Sequence, residues 1–62
     1  MTYRATLTLS TQDVTVDGGL SVDDLPYGVV GALNESFDRQ QLALSRVRPS
    51  MRPATITAEV TL

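Results

Sequence analysis

Apolar and polar residues alternate at both ends of the chain, which predicts two extended strands. In residues 2–10 the apolar side of the alternation comprises Tyr3, Ala5, Leu7 and Leu9. In residues 54–62 it comprises Ala54, Ile56, Ala58, Val60 and Leu62. A period of two, rich in β-branched residues, is typical of strands with one buried face. Residues 14–16 (VTV) follow the turn-like segment STQD, so the first half of the chain predicts a β-hairpin with Val14 and Val16 inward.

Residues 21–40 are expected to contain the only helix. Ser21 and Asp24 have the spacing of a capping box, but a helix beginning at Ser21 would place Pro26 where a backbone hydrogen bond is lost. The helix is therefore expected to begin near Leu25 or Pro26. A period of 3.6 residues then gives one apolar stripe. That stripe consists of Pro26, Val29, Val30, Leu33 and Phe37.

Residues 41–47 (QLALSRV) allow two interpretations. As a strand, they place Leu42 and Leu44 on the same face as Arg46, which requires a bulge or an exit from the core before that arginine. As a continuation of the helix, Leu44 extends the apolar stripe and Leu42 points away. We favour the strand.

The predicted order is β-β-α-β-β, which indicates a single small α+β domain over residues 1–62. In such a domain an antiparallel sheet carries one helix packed on its apolar face. The opposite face of the sheet is rich in threonine. Exposure to solvent is the simplest role for that face, and packing against a second sheet is the main alternative.

The absence of cysteine and histidine restricts the chemistry of the protein. Disulfides, thiolates and the commonest zinc ligands are excluded, and the aspartates are too scattered for a calcium site. Lysine is also absent, so acid–base or nucleophilic catalysis would depend on carboxylates and hydroxyls alone. We therefore expect no enzymatic activity, no cofactor, no metal and no small-molecule substrate.

The charges are unevenly distributed along the chain. Residues 39–52 contain four arginines and no acidic residue, although the whole chain has a net charge of −2. Three of these arginines lie in the segment SRVRPSMRP, whose prolines also mark it as a turn before the last strand. Arginine binds carboxylates and phosphates bidentately. The acidic pI and the lack of aromatic residues nearby favour an acidic protein over nucleic acid as the partner.

A chain of this length buries only about 60% of its unfolded surface, so we expect association with a partner to supply extra stability. The leading hypothesis is a non-enzymatic interaction module, acting as a homo-oligomer or docked on a larger partner through a sheet edge and the arginine-rich turn. The predicted partner-binding residues are Arg39, Arg46, Arg48, Arg52 and Glu59. The alternative is a nucleic-acid-binding or regulatory protein that contacts phosphates through Arg46, Arg48 and Arg52. A third hypothesis is a structural subunit of a phage or other large assembly.

Location and origin follow from composition alone. No apolar run approaches the roughly 20 residues that cross a bilayer, and residues 1–10 lack the apolar centre of a signal peptide. The sequence therefore predicts a cytoplasmic protein without a membrane partner. The exclusive use of arginine as the basic residue is typical of a GC-rich bacterial or phage genome.

Overall fold

The computed structural model describes residues 1–62 and contains three strands and one α-helix. Strand β1 spans Thr2–Thr8, β2 spans Asp13–Val16, helix α1 spans Tyr27–Leu44 and β3 spans Thr55–Thr61. Short 3₁₀ turns occupy Asp17–Gly19, Val22–Asp24 and Pro49–Met51. The strands form one antiparallel sheet in the order β2-β1-β3. The α+β class is confirmed, but the β-β-α-β-β layout is wrong, because no strand separates α1 from β3.

The predicted strand at residues 41–47 is instead the last part of α1 and the turn that follows it. Leu44 packs against the core, whereas Leu42 is 63% exposed. The helical period explains this difference, because Leu44 lies two turns beyond Phe37 on the same side of α1. The backbone N–H of Ser45 donates to the carbonyl of Gln41 at 3.0 Å, so hydrogen bonds within the helix satisfy this segment.

Helix α1 begins one residue beyond Pro26, close to the predicted position. The Ser21–Asp24 pair forms, with the Asp24 carboxylate accepting hydrogen bonds from the Ser21 hydroxyl at 3.0 Å and its N–H at 3.3 Å. This pair stabilises the turn Val22–Asp24 and not the α-helix itself. The extended backbone of Leu25 and Pro26 then separates the turn from α1.

The hairpin between β1 and β2 depends on Gln12. Its φ of 59° lies in the left-handed region, which non-glycine residues seldom occupy. The side chain offsets this cost with two contacts. Its amide donates to the carbonyl of Leu9 at 2.9 Å, and its oxygen accepts from the side chain of Gln41 at 3.2 Å. Gln12 therefore connects the hairpin to the C-terminal end of α1.

The core lies between one face of the sheet and α1. It consists of nine buried residues: Ala5, Leu7, Val16, Leu25, Val29, Leu33, Phe37, Ile56 and Ala58. The alternation predicted most of them, but Ala54 and Leu62 are exposed and Val14 is 37% exposed. Val14 lies on the outer strand β2, whereas α1 contacts mainly β3 and β1. The single helix thus covers only part of the apolar face.

Two leucines of α1 test this packing with the same substitution. Leu33→Ala should lower the free energy of unfolding by about 2–5 kcal/mol, because it empties a buried position. Leu42→Ala should change it by less than about 0.5 kcal/mol, because the side chain is exposed. Urea denaturation followed by circular dichroism measures both. Equal losses in the two variants would contradict the orientation of α1.

Candidate interaction surfaces

The outer edge of β3 is formed by every second residue of that strand. Met1 and Leu62 exchange hydrogen bonds at 2.9 and 2.8 Å, and the Leu9 N–H donates to the Ala54 carbonyl at 3.0 Å. In an antiparallel pair, hydrogen-bonded positions alternate with positions whose backbone groups point outward. The register of β1 and β3 therefore directs outward the N–H and C=O groups of Thr55, Thr57, Glu59 and Thr61.

One outward carbonyl of this edge is already bound by the helix. The Gln40 side-chain amide donates to the Thr57 carbonyl at 2.8 Å and to the Ser36 hydroxyl at 3.1 Å. Sequence reasoning missed Gln40. The signal for it was its position three residues beyond Phe37, which places a polar residue on the side of α1 that faces the sheet. The other outward groups of β3 have no partner in the protein.

Features that commonly block edge pairing are scarce on β3. The strand contains no proline and no lysine, and its pairing with β1 runs without a bulge. Its only charged residue is Glu59, whose side chain is paired with Arg4. A seven-residue strand of this kind is a template for a further strand.

The face of the sheet opposite α1 is polar and uncovered. Cross-strand pairs on this face align Thr2 with Thr61, Thr6 with both Thr57 and Thr15, and Thr8 with Thr55. The Thr2 and Thr61 hydroxyl oxygens lie 3.1 Å apart. The sequence placed threonine on this face correctly.

An ion-paired group crosses the threonine face. Arg4 on β1 lies opposite Glu59 on β3, and its Nε donates to Glu59 Oε1 at 2.7 Å. The carboxylate of Asp17 lies 3.8 Å from the same guanidinium. The hydrogen bond that Arg4 donates to Glu59, the charge of Glu59 and the charge of Asp17 together raise the pKa of Arg4 above its ordinary value. Arg4 therefore connects β1 to β3 and to the turn that follows β2.

Glu59 and the predicted arginines do not form one site. The Glu59 side chain lies on the threonine face at the middle of β3, whereas the arginine-rich turn precedes the first residue of that strand. Sequence reasoning missed the role of Arg4. The sequence pattern does place Arg4 and Glu59 on the polar sides of the two terminal strands. Only the register between β1 and β3, however, shows that the two residues lie opposite each other.

Arg52 is hydrogen-bonded to its own turn. Its Nε donates to the Val47 carbonyl at 3.0 Å, and its Nη2 donates to the Ser45 carbonyl at 3.4 Å. These carbonyls lie just beyond the last turn of α1, where the helix offers no N–H partner. Arg52 thereby fixes the chain as it leaves the helix.

The other three predicted arginines are exposed and have neither an ion pair nor a side-chain hydrogen bond. Leu42 and Arg46 lie three and seven residues beyond Arg39, which places the three residues along one outer stripe of α1 and the turn that continues it. Arg48 and Met51 follow within the next turn, where the Met51 N–H donates to the Arg48 carbonyl at 2.8 Å. We call these five residues the arginine surface.

The concave surfaces of the protein are open to solvent, and the largest, of about 440 Å³, is lined by Met1, Thr2, Tyr3, Arg4, Asp17 and Leu20. A cavity of about 70 Å³ between β2 and α1 is lined by Val14, Val22, Val30, Leu33, Asn34 and Phe37. No group of three or more acidic residues is arranged to hold a metal ion. The one α-helix lacks the length and apolar character that crossing a membrane requires.

Substitution of Arg52 separates its structural role from that of its neighbours. Arg52→Ala should lower the free energy of unfolding by about 1–2 kcal/mol, because two carbonyls lose a charged donor. Arg48→Ala removes the same side chain from the same turn without breaking a hydrogen bond and should leave stability within about 0.5 kcal/mol. Urea denaturation provides the comparison, and equal effects would contradict the role assigned to Arg52.

Arg4→Gln should lower the melting temperature, because both carboxylates lose their cationic partner. Since the pKa of Arg4 is raised in the folded protein, the stability that Arg4 contributes is complete below the ordinary arginine pKa. It declines only as pH rises through the pKa of the folded protein. The difference in melting temperature between Arg4→Gln and wild type should therefore stay constant between about pH 7 and 10 and shrink at about 1 M salt. Differential scanning calorimetry tests both dependences, and a difference that disappears by pH 10 would contradict the assignment.

Comparison with known proteins gives no relative from which a function can be transferred. No protein-family model, no curated protein and no solved structure matches this chain.

Proposed function

We propose that this protein is a small non-enzymatic interaction module that self-associates by pairing the outer edge of β3 with the same edge of a second copy. The observation that supports it most directly is the row of outward backbone groups on a strand without proline, lysine or bulge. The small size of the core adds to this support, since only nine of 62 residues are buried. Pairing would extend the three-stranded sheet to a continuous six-stranded sheet.

The pattern of outward groups also restricts the register of such a dimer. Antiparallel pairing centred on Ala58 matches Thr57 with Glu59 of the second copy and Thr55 with Thr61. All four of these positions have outward backbone groups, so every pair can exchange hydrogen bonds. A register centred on Glu59 would instead place two Glu59 side chains directly opposite each other, which is unfavourable. We therefore favour the Ala58-centred register.

Gln40 is compatible with this register. A carbonyl oxygen has two lone pairs, so Thr57 can accept from Gln40 and from an incoming backbone N–H together. The apolar residues Ile56 and Val60 would be opposite each other across the dimer on the face that α1 covers. The two helices would then lie on the same side of the extended sheet.

Nucleic-acid binding is the second candidate function, and one observation favours it. Arg39, Arg46 and Arg48 are exposed and have no carboxylate partner within 4.0 Å. Arg52, the third arginine of the original hypothesis, donates two hydrogen bonds to backbone carbonyls. The β3 edge carries the stronger proposal because its unpaired groups form a regular geometric array.

Proline substitutions on the two outer strands test the edge pairing. Thr57→Pro removes an outward N–H and leaves the hydrogen bonds between β1 and β3 in place. By symmetry the dimer loses two backbone hydrogen bonds, so its dissociation constant should rise about tenfold or more. Sedimentation equilibrium of wild type and variant measures that constant.

Val14→Pro is the matched control. Thr6 and Thr8 of β1 direct their backbone groups toward β2, where they lie opposite Thr15 and Asp13. Val14 lies between those two residues, so its N–H points outward at the edge of the sheet formed by β2. This variant should retain the wild-type dissociation constant. A monomeric wild-type protein at about millimolar concentration, or equal weakening by the two prolines, would refute pairing through β3.

A further inference from the structure

A second charged surface lies on the connection between β2 and α1. The aspartates Asp17, Asp23 and Asp24 flank Leu20 and Val22, which are 42% and 37% exposed. We call these five residues the acidic turn. Asp23 makes no ion pair or side-chain hydrogen bond. Asp17 and Asp24 are partly engaged, with Arg4 and Ser21, and a carboxylate keeps further acceptor sites in such contacts.

The acidic turn and the arginine surface do not pair with each other within one molecule. The acidic turn precedes the first residue of α1, whereas Arg39 lies within the helix and Arg46, Arg48 and Met51 follow its last residue. A helix of 18 residues is about 27 Å long, and it separates the acidic turn from the residues that follow the helix. No ion pair joins the two surfaces.

The two surfaces have matching composition. The arginine surface contains three guanidinium groups and the exposed side chains of Leu42 and Met51. The acidic turn contains three carboxylates and two exposed apolar side chains. Charge and apolar area are thus both complementary, and arginine forms bidentate hydrogen bonds with carboxylates.

We infer that the arginine surface of one copy docks the acidic turn of a second copy. The exposed Leu42 and Met51 favour a protein over nucleic acid, because apolar side chains gain little beside phosphates and this surface contains no aromatic residue for base stacking. The inference goes beyond the proposed edge pairing and uses none of the residues on the β3 edge.

This contact is heterologous, since a different surface is used on each copy. A heterologous contact leaves an acidic turn free at one end of a dimer and an arginine surface free at the other, so it propagates into rings or filaments. Its charged groups are exposed, and salt therefore weakens it. Head-to-tail association is expected at low ionic strength and high protein concentration.

The experiment uses the Thr57→Pro protein as parent, so that edge pairing does not contribute. In the first variant, Arg39→Gln, Arg46→Gln and Arg48→Gln neutralise the arginine surface. In the second, Asp17→Asn, Asp23→Asn and Asp24→Asn neutralise the acidic turn and retain oxygen acceptors. Circular dichroism checks that each variant folds, and sedimentation velocity measures association at about 0.02 M and about 0.5 M salt.

Each variant alone should remain monomeric, because it lacks one of the two complementary surfaces. Their mixture should form a complex of one copy of each and grow no further, because it contains one intact surface of each kind. The parent should form larger species at low salt and dissociate at high salt. This limited assembly in the mixture is specific to a head-to-tail contact.

A third variant controls for net charge. Asp13→Asn, Glu35→Gln and Asp38→Asn remove three acidic groups elsewhere and leave the acidic turn intact, so this variant should associate as the parent does. Failure of the two surface variants to form a mixed complex, or a parent that is monomeric at low salt, would overturn the inference. Binding of fluorescent single-stranded DNA or RNA by the parent, lost in the arginine variant and without self-association, would overturn it in favour of nucleic acid.

Discussion

A single helix can cover only one face of a three-stranded sheet, and this constraint determines the rest of the structure. Leu33 and Phe37 of α1 pack on the apolar side of the sheet, with Ala5 and Ile56 among their core neighbours. The alternate residues of each strand have side chains on the opposite face of the sheet and therefore face solvent. A chain without cysteine or histidine has no disulfide or zinc site with which to reinforce so small a core, and the uncovered face and edge of the sheet remain available for contact.

The register of β1 and β3 links the uncovered face to the open edge. On β3 the residues that point their side chains into the core also direct their backbone groups toward β1. The alternate residues Thr55, Thr57, Glu59 and Thr61 consequently direct polar side chains to the threonine face and backbone groups to the open edge. A strand that pairs with this edge would thus also extend the threonine face. Gln40 shows that α1 can reach the same edge with a side chain.

The terminal strands and most of the core could be predicted from the sequence, because period-two alternation is a local signal. The end of α1 could not be predicted, since the spacing of Leu42 and Leu44 is compatible with both a strand and a helix. Only the position of Leu44 on the same side of the helix as Phe37 distinguishes the two. The Arg4–Glu59 pair required the register between β1 and β3, and the bonds of Arg52 required the position of carbonyls after the helix. Both depend on tertiary structure, which residue type alone does not encode. Composition identified the arginines but not which of them are free.

The two groups of charges lie outside α1 and not within its terminal turns. Asp23 and Asp24 precede the first residue of the helix, and Arg46 and Arg48 follow its last residue. The first turn of α1 contains no acidic residue and its last turn contains no basic residue, and the helix dipole acts strongly only within those turns. Gly28 and Gly31 lower the helix propensity of the first turns, so packing of the buried side of α1 against the sheet must stabilise the helix. The charges outside the helix are therefore available for contact with a partner at little cost to the stability of α1.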